Sequence, residues 1–188
     1  MTKIGIIIGS TRDARVGNQV AEFVLNRANA QNIEGVDFEI VDLKDFDIPM
    51  YNEPLPTMML DEYSTQGVKD WSAKIDGLDG FIFVTPEYNK SIPASLKNAI
   101  DNLAGEWANK SAGIVAYGST LGVAASLSLR QVFTNLQIAD VSPFGAFSLF
   151  TDFENMSTFK PAEIHNATID AVITDTVAWA TALKSVRA

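Results

Sequence analysis

Short apolar runs alternate with amphipathic segments along most of this chain, and this alternation restricts the fold more than any other feature. Near-continuous apolar runs such as Lys3–Ile8 and Gly80–Thr85 are typical of strands buried on both faces. Because parallel strands need crossover connections, which helices supply, the pattern predicts a doubly wound α/β fold with a five-stranded parallel sheet of order 2-1-3-4-5. The predicted strands are Lys3–Ile8, Val36–Leu43, Gly80–Thr85, Ala112–Tyr117 and Val141–Leu149, and the predicted helices are Val16–Ala30, Gln66–Ile75, Pro93–Leu103, Leu121–Leu136 and Pro161–Val186.

Length and charge limit the class of protein. With 188 residues, the chain is expected to form a single domain over residues 1–188. A net charge of −9 with scattered acidic residues argues against nucleic acid and anionic membranes as partners. The absence of cysteine excludes disulfides and thiolate catalysis. Since no apolar run approaches about 18 residues and no signal-like segment opens the chain, a cytoplasmic location is expected.

The loop after the first strand, GSTRDARVGN at residues 9–18, has the composition of an anion site. It lies where doubly wound sheets bind ligands, directly before a helix whose first N–H groups are unpaired. Ser10 and Thr11 offer hydroxyl donors, and Arg12 can hold two phosphate oxygens. The alternative is that the hydroxyls cap the helix and Arg12 is a solvated charge. Since the loop lacks G-x-G-x-x-G and G-x-x-x-x-G-K-[ST], a mononucleotide phosphate is favoured over a dinucleotide.

A second ligand loop, TPEYN at residues 85–89, follows the third strand and contains no glycine. Pro86 and Tyr88 form a rigid, partly apolar ledge that suits a flat ring, and the backbone amides of such a turn can pair with ring carbonyls. Here the sequence resembles the NAD(P)H-dependent FMN reductase family of flavodoxin-like proteins, which includes azo-dye, quinone and chromate reductases. The resemblance covers essentially the whole chain and rests on GSTRDARVG, PEYNKSIPASLKNAID and YGSTLGVAASLSLRQVF.

The resemblance implies a flavodoxin-like fold with FMN at the carboxyl ends of the strands. It implies that the first loop holds the phosphate, that Pro86–Asn89 lines the isoalloxazine ring, and that Tyr117–Ser119 approaches the flavin from the fourth strand. Many members carry a small polar residue where this chain has Arg15 and Val16, so Ser10 and Arg12 are the firmer phosphate contacts. The cofactor-binding residues implied are Ser10, Thr11, Arg12, Arg15, Val16, Gly17, Asn18, Pro86, Glu87, Tyr88, Asn89, Ser91, Tyr117, Gly118 and Ser119.

The resemblance also implies an oxidoreductase with NAD(P)H as co-substrate. Hydride passes from NAD(P)H to FMN and then to a quinone, azo, metal-oxyanion or free-flavin acceptor in a ping-pong cycle. The alternative is a flavodoxin-type electron carrier without small-substrate turnover, against which Arg12 argues, since flavodoxins usually hold the phosphate through hydroxyls and backbone. A non-redox binding module is a second alternative. The family implies a homodimer or homotetramer formed through Ile92–Leu103 and Leu121–Phe133.

No side chain is expected to act in catalysis. His165, the single histidine, is predicted to be a solvated residue early in the terminal helix. Glu87 is expected to bind mainly through its backbone rather than to act as an acid or base. Asp42, Asp45 and Asp47 lack a regular ligand spacing and an accompanying histidine, so a solvated acidic loop is predicted rather than a metal site.

Three tryptophans and one long loop complete the candidates. Trp71 and Trp179 stand at helical spacings and are predicted to be core residues rather than cofactor stackers. Trp107 precedes the fourth strand and is a candidate interface residue. The proline-rich loop at residues 50–56 either covers the flavin, reaches a neighbouring subunit, or is an ordinary surface loop.

Overall fold

The computed structural model of this chain describes residues 1–187, in which a parallel sheet is covered by helices on both faces. None of the helices in this range is long and apolar enough to cross a membrane. The strands are β1 (Thr2–Ile8), β2 (Val36–Asp42), β3 (Gly80–Pro86), β4 (Ser111–Gly118), β5 (Ala139–Ser148), β6 (Phe153–Glu154) and β7 (Thr158–Phe159). The α-helices are α1 (Gly17–Ala30), α2 (Gln66–Asp76), α3 (Ala94–Asp101), α4 (Val123–Asn135) and α5 (Asn166–Arg187), and 3₁₀ turns span Leu43–Asp45, Thr57–Met59, Gly105–Trp107 and Glu163–His165.

The main sheet has the order β2-β1-β3-β4-β5, and every neighbouring pair is parallel. This confirms the predicted topology, which is the strand order of flavodoxin. In β1, Ile6 lies opposite Ile40 of β2 on one side and Ile82 of β3 on the other. The strand order therefore reverses beside β1, and the loops after β1, β3 and β4 leave the same edge of the sheet at this switch point.

Two apolar clusters cover the two faces of the sheet. Helices α1 and α5 pack against one face around Ile4 and Ile6 of β1, both of which are fully buried. Helices α2, α3 and α4 cover the other face around a group of aromatic rings. There the Phe81 and Trp107 ring centroids lie 5.0 Å apart. Trp71 is buried in this cluster as predicted, whereas Trp107 is a core residue and not an interface residue.

The segment between β5 and α5 differs from the prediction. Helix α5 begins at Asn166 rather than at Pro161, because residues 153–159 form the β6–β7 hairpin and a 3₁₀ turn follows it. Phe159 of this hairpin packs edge-on against Phe147 of β5, at 4.8 Å between ring centroids, and against Phe23 of α1, at 5.5 Å. The aromatic contacts hold the hairpin against the sheet and α1.

Strand β5 begins at Ala139, before the predicted start at Val141, and continues through Pro143. The pairing register with β4 shifts between Ala112 and Ile114, opposite this proline. Since β5 is an edge strand, a residue without an N–H is tolerated at such an irregularity.

The surroundings predicted for His165 and Trp179 are wrong. His165 is not solvated: its Nε2 lies 2.9 Å from Asp152 Oδ1, and its ring packs on Phe147 with the centroids 4.9 Å apart. The buried Asp152 carboxylate needs polar partners, and His165 supplies one of them. Trp179 was expected in the core, but it lies on the outer face of α5 and is 53% exposed.

Candidate cofactor-binding site

The loops after β1, β3 and β4 meet around a cavity of about 220 Å³ at the carboxyl edge of the sheet. The position is the one that the topology dictates for a ligand site. Most of its lining was predicted from the sequence, whereas Leu149 and Met156, which follow β5, were not. The lining residues are Arg12, Arg15, Val16, Pro86, Glu87, Tyr88, Tyr117, Gly118, Leu149 and Met156.

The loop after β1 presents unpaired backbone donors. Helix α1 has Val16 at its N-cap, with no side-chain hydrogen bond to cap it, so the alternative that Ser10 and Thr11 cap this helix is wrong. Within residues 1–187, no protein acceptor takes a hydrogen bond from the N–H groups of Ser10, Thr11, Arg12, Gly17 and Asn18. A helix N-terminus with free N–H groups carries a partial positive charge and is suited to a phosphate.

The two arginines of this loop have different surroundings. Arg15 forms an ion pair with Asp42 of β2 and donates from Nη1 to the carbonyl oxygen of Ser10 at 2.8 Å. Burial is the largest influence on Asp42 and would raise its pKa, but the hydrogen bonds from Arg15 and from Lys44 N, together with the charges of both residues, outweigh burial and lower that pKa. Arg15 thus fixes the loop. Arg12 is exposed, pairs with no carboxylate in the described part of the chain, and lies 5.8 Å from the centroid of the Tyr88 ring.

The ion pair also changes the interpretation of the acidic loop. Asp42 is not solvated, because its side chain is only 19% exposed and is bound by Arg15. Asp45 and Asp47 are exposed, as predicted. Over residues 1–187, no group of three or more metal-binding side chains is close enough to hold an ion.

Tyr117 reaches the first loop from β4. Its hydroxyl lies 3.4 Å from Ser10 Oγ, and both groups are buried. A Cβ atom on Gly17 would lie 2.7 Å from the Tyr117 hydroxyl and 2.8 Å from Ser10 Oγ, so only glycine allows this approach at the start of α1. Burial raises the pKa of Tyr117 to about 12, which keeps the hydroxyl protonated and able to donate at neutral pH. Beside them, the buried Oδ1 of Asn18 has no partner among the described residues.

The loop after β3 ends in a tight turn. Tyr88 and Ser91 exchange two backbone hydrogen bonds, of 2.9 and 3.0 Å, across Asn89 and Lys90, which both have positive φ. Glu87 N donates to the Tyr117 carbonyl oxygen at 2.9 Å. The amides of Glu87 and Tyr88 are therefore committed to the protein. In this turn of the described chain, the N–H groups of Asn89 and Lys90 remain without a protein acceptor.

Glu87 joins this loop to α4. Its Oε2 accepts from Ala124 N at 2.9 Å and its Oε1 accepts from the Thr120 hydroxyl at 2.7 Å. Burial is the largest influence and would raise the pKa of Glu87, but these two hydrogen bonds together with those from Lys90 and Ala125 N outweigh burial and lower the pKa. The side chain is 6% exposed and serves as the negative group at the N-terminus of α4, so its oxygens are not available as a base.

The predicted residues outside the lining fall into two groups. Ser10, Thr11, Gly17 and Asn18 belong to the loop and first turn beside the cavity, where they contribute backbone donors or close packing. Ser91 donates its hydroxyl hydrogen bond to Ser128 of α4 at 3.3 Å, and Asn89 and Ser119 are exposed. Asn89, Ser91 and Ser119 therefore do not line the cavity.

Leu149 and Met156 are the lining residues that the sequence analysis missed. Leu149 directly follows β5, so its position at the carboxyl edge of the sheet is a signal that could have identified it. Met156 lies at the tip of a hairpin whose strands have two residues each. Such strands are too short for a periodic pattern, and no signal in the sequence places Met156 here.

Comparison with known proteins agrees with this arrangement. A family model described as NADPH-dependent FMN reductase matches residues 2–152. The chain belongs to this family. This membership confirms the resemblance found in the sequence. The chain is therefore an oxidoreductase that uses FMN and NAD(P)H. The matched range contains all three ligand loops and ends just before the β6–β7 hairpin.

Individual relatives match over most of their length. An NAD(P)H-dependent FMN reductase of Schizosaccharomyces pombe is 40% identical over 144 residues, covering 75% of this chain and 71% of the relative. A quinone reductase of Pseudomonas putida is 30% identical over 161 residues, covering 79% and 81%. The structure of FerB, a flavoenzyme NAD(P)H:(acceptor) oxidoreductase from Paracoccus denitrificans, has a TM-score of 0.72 at 20% identity, covering 96% of this chain and 98% of that chain. At that identity the likeness concerns the fold.

Proposed function

We propose that this FMN reductase family member transfers electrons from NAD(P)H to a quinone, azo, metal-oxyanion or free-flavin acceptor by a ping-pong cycle. The observation that carries the proposal is the coincidence of unpaired N–H groups, the Arg12 charge and the Tyr88 ring around one cavity. Bound FMN would supply the capacity to accept a hydride and to reduce a second substrate. The relatives named FMN reductase and quinone reductase support small-molecule acceptors.

The loop after β1 suits the FMN phosphate. Its free N–H groups, the N-terminus of α1 and the guanidinium of Arg12 all favour an anion. Tyr117 adds a buried hydroxyl that is protonated at neutral pH. Since Arg15 is neutralised by Asp42, Arg12 supplies the net positive charge for the phosphate. A cation so placed also favours an enzyme site over the hydroxyl-and-backbone cradle usual in flavodoxin-type carriers.

The loop after β3 suits the flavin ring. Pro86 is buried at the end of β3, and Tyr88 presents its ring to the cavity. The N–H groups of Asn89 and Lys90 are available to ring carbonyl oxygens, whereas Glu87 holds the loop to α4. These contacts align the ring and leave the electron transfer to the bound substrates, so we propose no protein side chain as the proton donor. His165 is bonded to Asp152 and lies outside the lining of the cavity.

The test is steady-state oxidation of NADPH, with NADH in parallel, by the FMN-loaded protein with a quinone. Parallel lines in double-reciprocal plots at several quinone concentrations are expected, since both substrates use the same ring face in turn. An electron carrier would give a flavin spectrum but no quinone-dependent oxidation, and a non-redox module would give no flavin spectrum. Intersecting lines would contradict the ping-pong cycle and retain the enzyme.

A further inference from the structure

One wall of the cavity is built by a segment outside the range that the family model matches. The match ends at residue 152, and the β6–β7 hairpin follows at residues 153–159. Met156, at the tip of this hairpin, lines the cavity together with residues of the loops after β1 and β3. The hairpin therefore adds an apolar side chain to a site whose other walls belong to the family.

The backbone at the tip is unusual for the residue that it carries. Asn155 and Met156 have φ of 51° and 54°, and Ser157 N donates to the Glu154 carbonyl oxygen at 3.1 Å. Two consecutive positive φ values are typical of a type I′ turn, whose favoured pair is Asn-Gly. A methionine at the second position is disfavoured by its Cβ atom. The conformation of the turn therefore does not explain why residue 156 is a methionine. Its position in the lining of the cavity offers an explanation.

The hairpin is fixed in place on the protein. Gln19 of α1 donates from Nε2 to the Ser157 carbonyl oxygen at 2.8 Å, and its Oε1 accepts from Phe159 N at 2.9 Å. At the base, Lys160 N donates to the Asp152 carbonyl oxygen at 2.8 Å. Phe153 packs against the ring of Tyr117, itself a lining residue, with 5.9 Å between centroids. Met156 is thus held over the cavity from both sides of the hairpin.

We propose that the β6–β7 hairpin is a cofactor-retaining flap, in which Met156 covers the bound FMN and Gln19 positions the flap. The inference rests on the proposed function, since it takes FMN as the occupant of the cavity. Met156 shares the cavity lining with Arg12, Val16 and Tyr117, and the bonds from Gln19, in the first turn of α1, to Ser157 and Phe159 hold the hairpin at the helix N-terminus where the phosphate is proposed to lie. Its exposed, flexible thioether can cover the flavin without a fixed hydrogen-bond pattern. The flap lowers the dissociation rate of FMN and leaves its association rate nearly unchanged.

The decisive variant is Met156→Gly, because glycine suits the positive φ of the turn and removes the covering side chain. We expect the FMN dissociation rate, followed by flavin fluorescence anisotropy after rapid dilution of the holoprotein, to rise at least about five-fold. The association rate should stay within about two-fold and the melting temperature of the apoprotein should not fall. A purely structural role would lower the melting temperature instead. Met59→Ala, at a comparably exposed methionine outside the cavity, is the matched control and should match the parent protein.

Gln19→Ala tests the positioning of the flap, with the exposed Gln131→Ala as its control. Gln19 does not line the cavity, so Gln19→Ala should raise the FMN dissociation rate only through the position of the flap. The double variant with Met156→Gly should release FMN at a rate no higher than that of the faster of the two single variants. Multiplying effects would overturn the role assigned to Gln19. Unchanged dissociation rates, or a changed KM for quinone with unchanged FMN release, would overturn the flap. A parent protein that binds no FMN would instead refute the proposed function.

Discussion

At the scale of single residues, two arginines in one loop differ in what they can offer a ligand. Arg15 is bound to Asp42 and to the backbone of its own loop, so its charge is compensated within the protein. Arg12 has no such carboxylate in the described chain and lies over the Tyr88 ring. The distinction could not be read from the sequence, because Asp42 is 27 residues away from Arg15 along the chain.

Arg12→Ala is expected to weaken FMN binding by one to two decades, since loss of a charge-assisted bond to phosphate costs about 1.5–3 kcal/mol. FMN titration monitored by flavin fluorescence measures the change. Riboflavin, which lacks the phosphate, should bind the variant and the parent equally. Arg27→Ala, which removes an arginine paired with Asp170 away from the cavity, is the control. An unchanged FMN dissociation constant in Arg12→Ala would show that the phosphate lies elsewhere.

At the scale of elements, the N-terminus of α4 depends on two groups from outside the helix body. One is the Glu87 carboxylate, which comes from the loop after β3. The other is Gly122, the N-cap residue, with φ of 69°. Glu87 also lines the cavity, whereas Gly122 lies outside its lining. Each gives a prediction about stability that is independent of the cofactor.

Glu87→Gln is expected to lower the free energy of unfolding at pH 7 by about 1 kcal/mol, because a charged group is lost from a helix N-terminus. The folded pKa of Glu87 is lowered, so its contribution is complete above the unfolded value of about 4.3 and is lost as the pH falls through the folded value. The parent and the variant should therefore converge in acid. Urea unfolding of both proteins from pH 7 downward measures this, and a difference that grows on acidification would contradict it.

Gly122→Ala is expected to destabilise the apoprotein by about 2–4 kcal/mol, from positive φ combined with overpacking. Its Cβ would lie 2.5 Å from that of Ala116 and 2.7 Å from Tyr117 N. Gly35 has a similar φ of 73° with nothing within 4 Å, so Gly35→Ala separates the backbone cost from the clash. Urea unfolding should show the larger loss for Gly122→Ala. Equal losses in the two variants would mean that the surroundings of Gly122 yield to the new methyl group.

The elements that the sequence predicts are those with strong periodicity or long apolar runs. Buried runs such as that of β1 and the helical spacing of α1 are enough to establish the strand order. The β6–β7 hairpin was missed because strands of two residues are too short to show a periodic pattern. Pro161, a residue typical of helix starts, then placed the predicted start of α5 too early. The prediction that His165 is solvated was wrong for the same reason, because its partner Asp152 lies at the base of that hairpin.

At the scale of the whole molecule, an apolar surface on α4 and the turn before it has no partner within residues 1–187. Leu121, Val123 and Leu127 are 42%, 41% and 58% exposed, and they belong to the segment implied for subunit contact. We expect a homodimer or homotetramer at micromolar concentration, measured by light scattering, with Leu127→Glu shifted toward the mass of one chain. Glu163→Gln, an exposed change outside this surface, is the control. A parent protein with the mass of a single chain would contradict the prediction.

The origin of the cavity walls has a consequence for how this family member could diversify. Three walls come from loops that also complete the sheet and start its helices, so changes there alter folding and cofactor binding together. The fourth comes from a hairpin that closes on itself through its own turn and joins the rest through α1 and an aromatic cluster. Exchange of the Met156 side chain therefore changes the chemical character of the pocket while the contacts of Gln19 and Phe159 stay in place. Natural variation or directed evolution can act on this module separately.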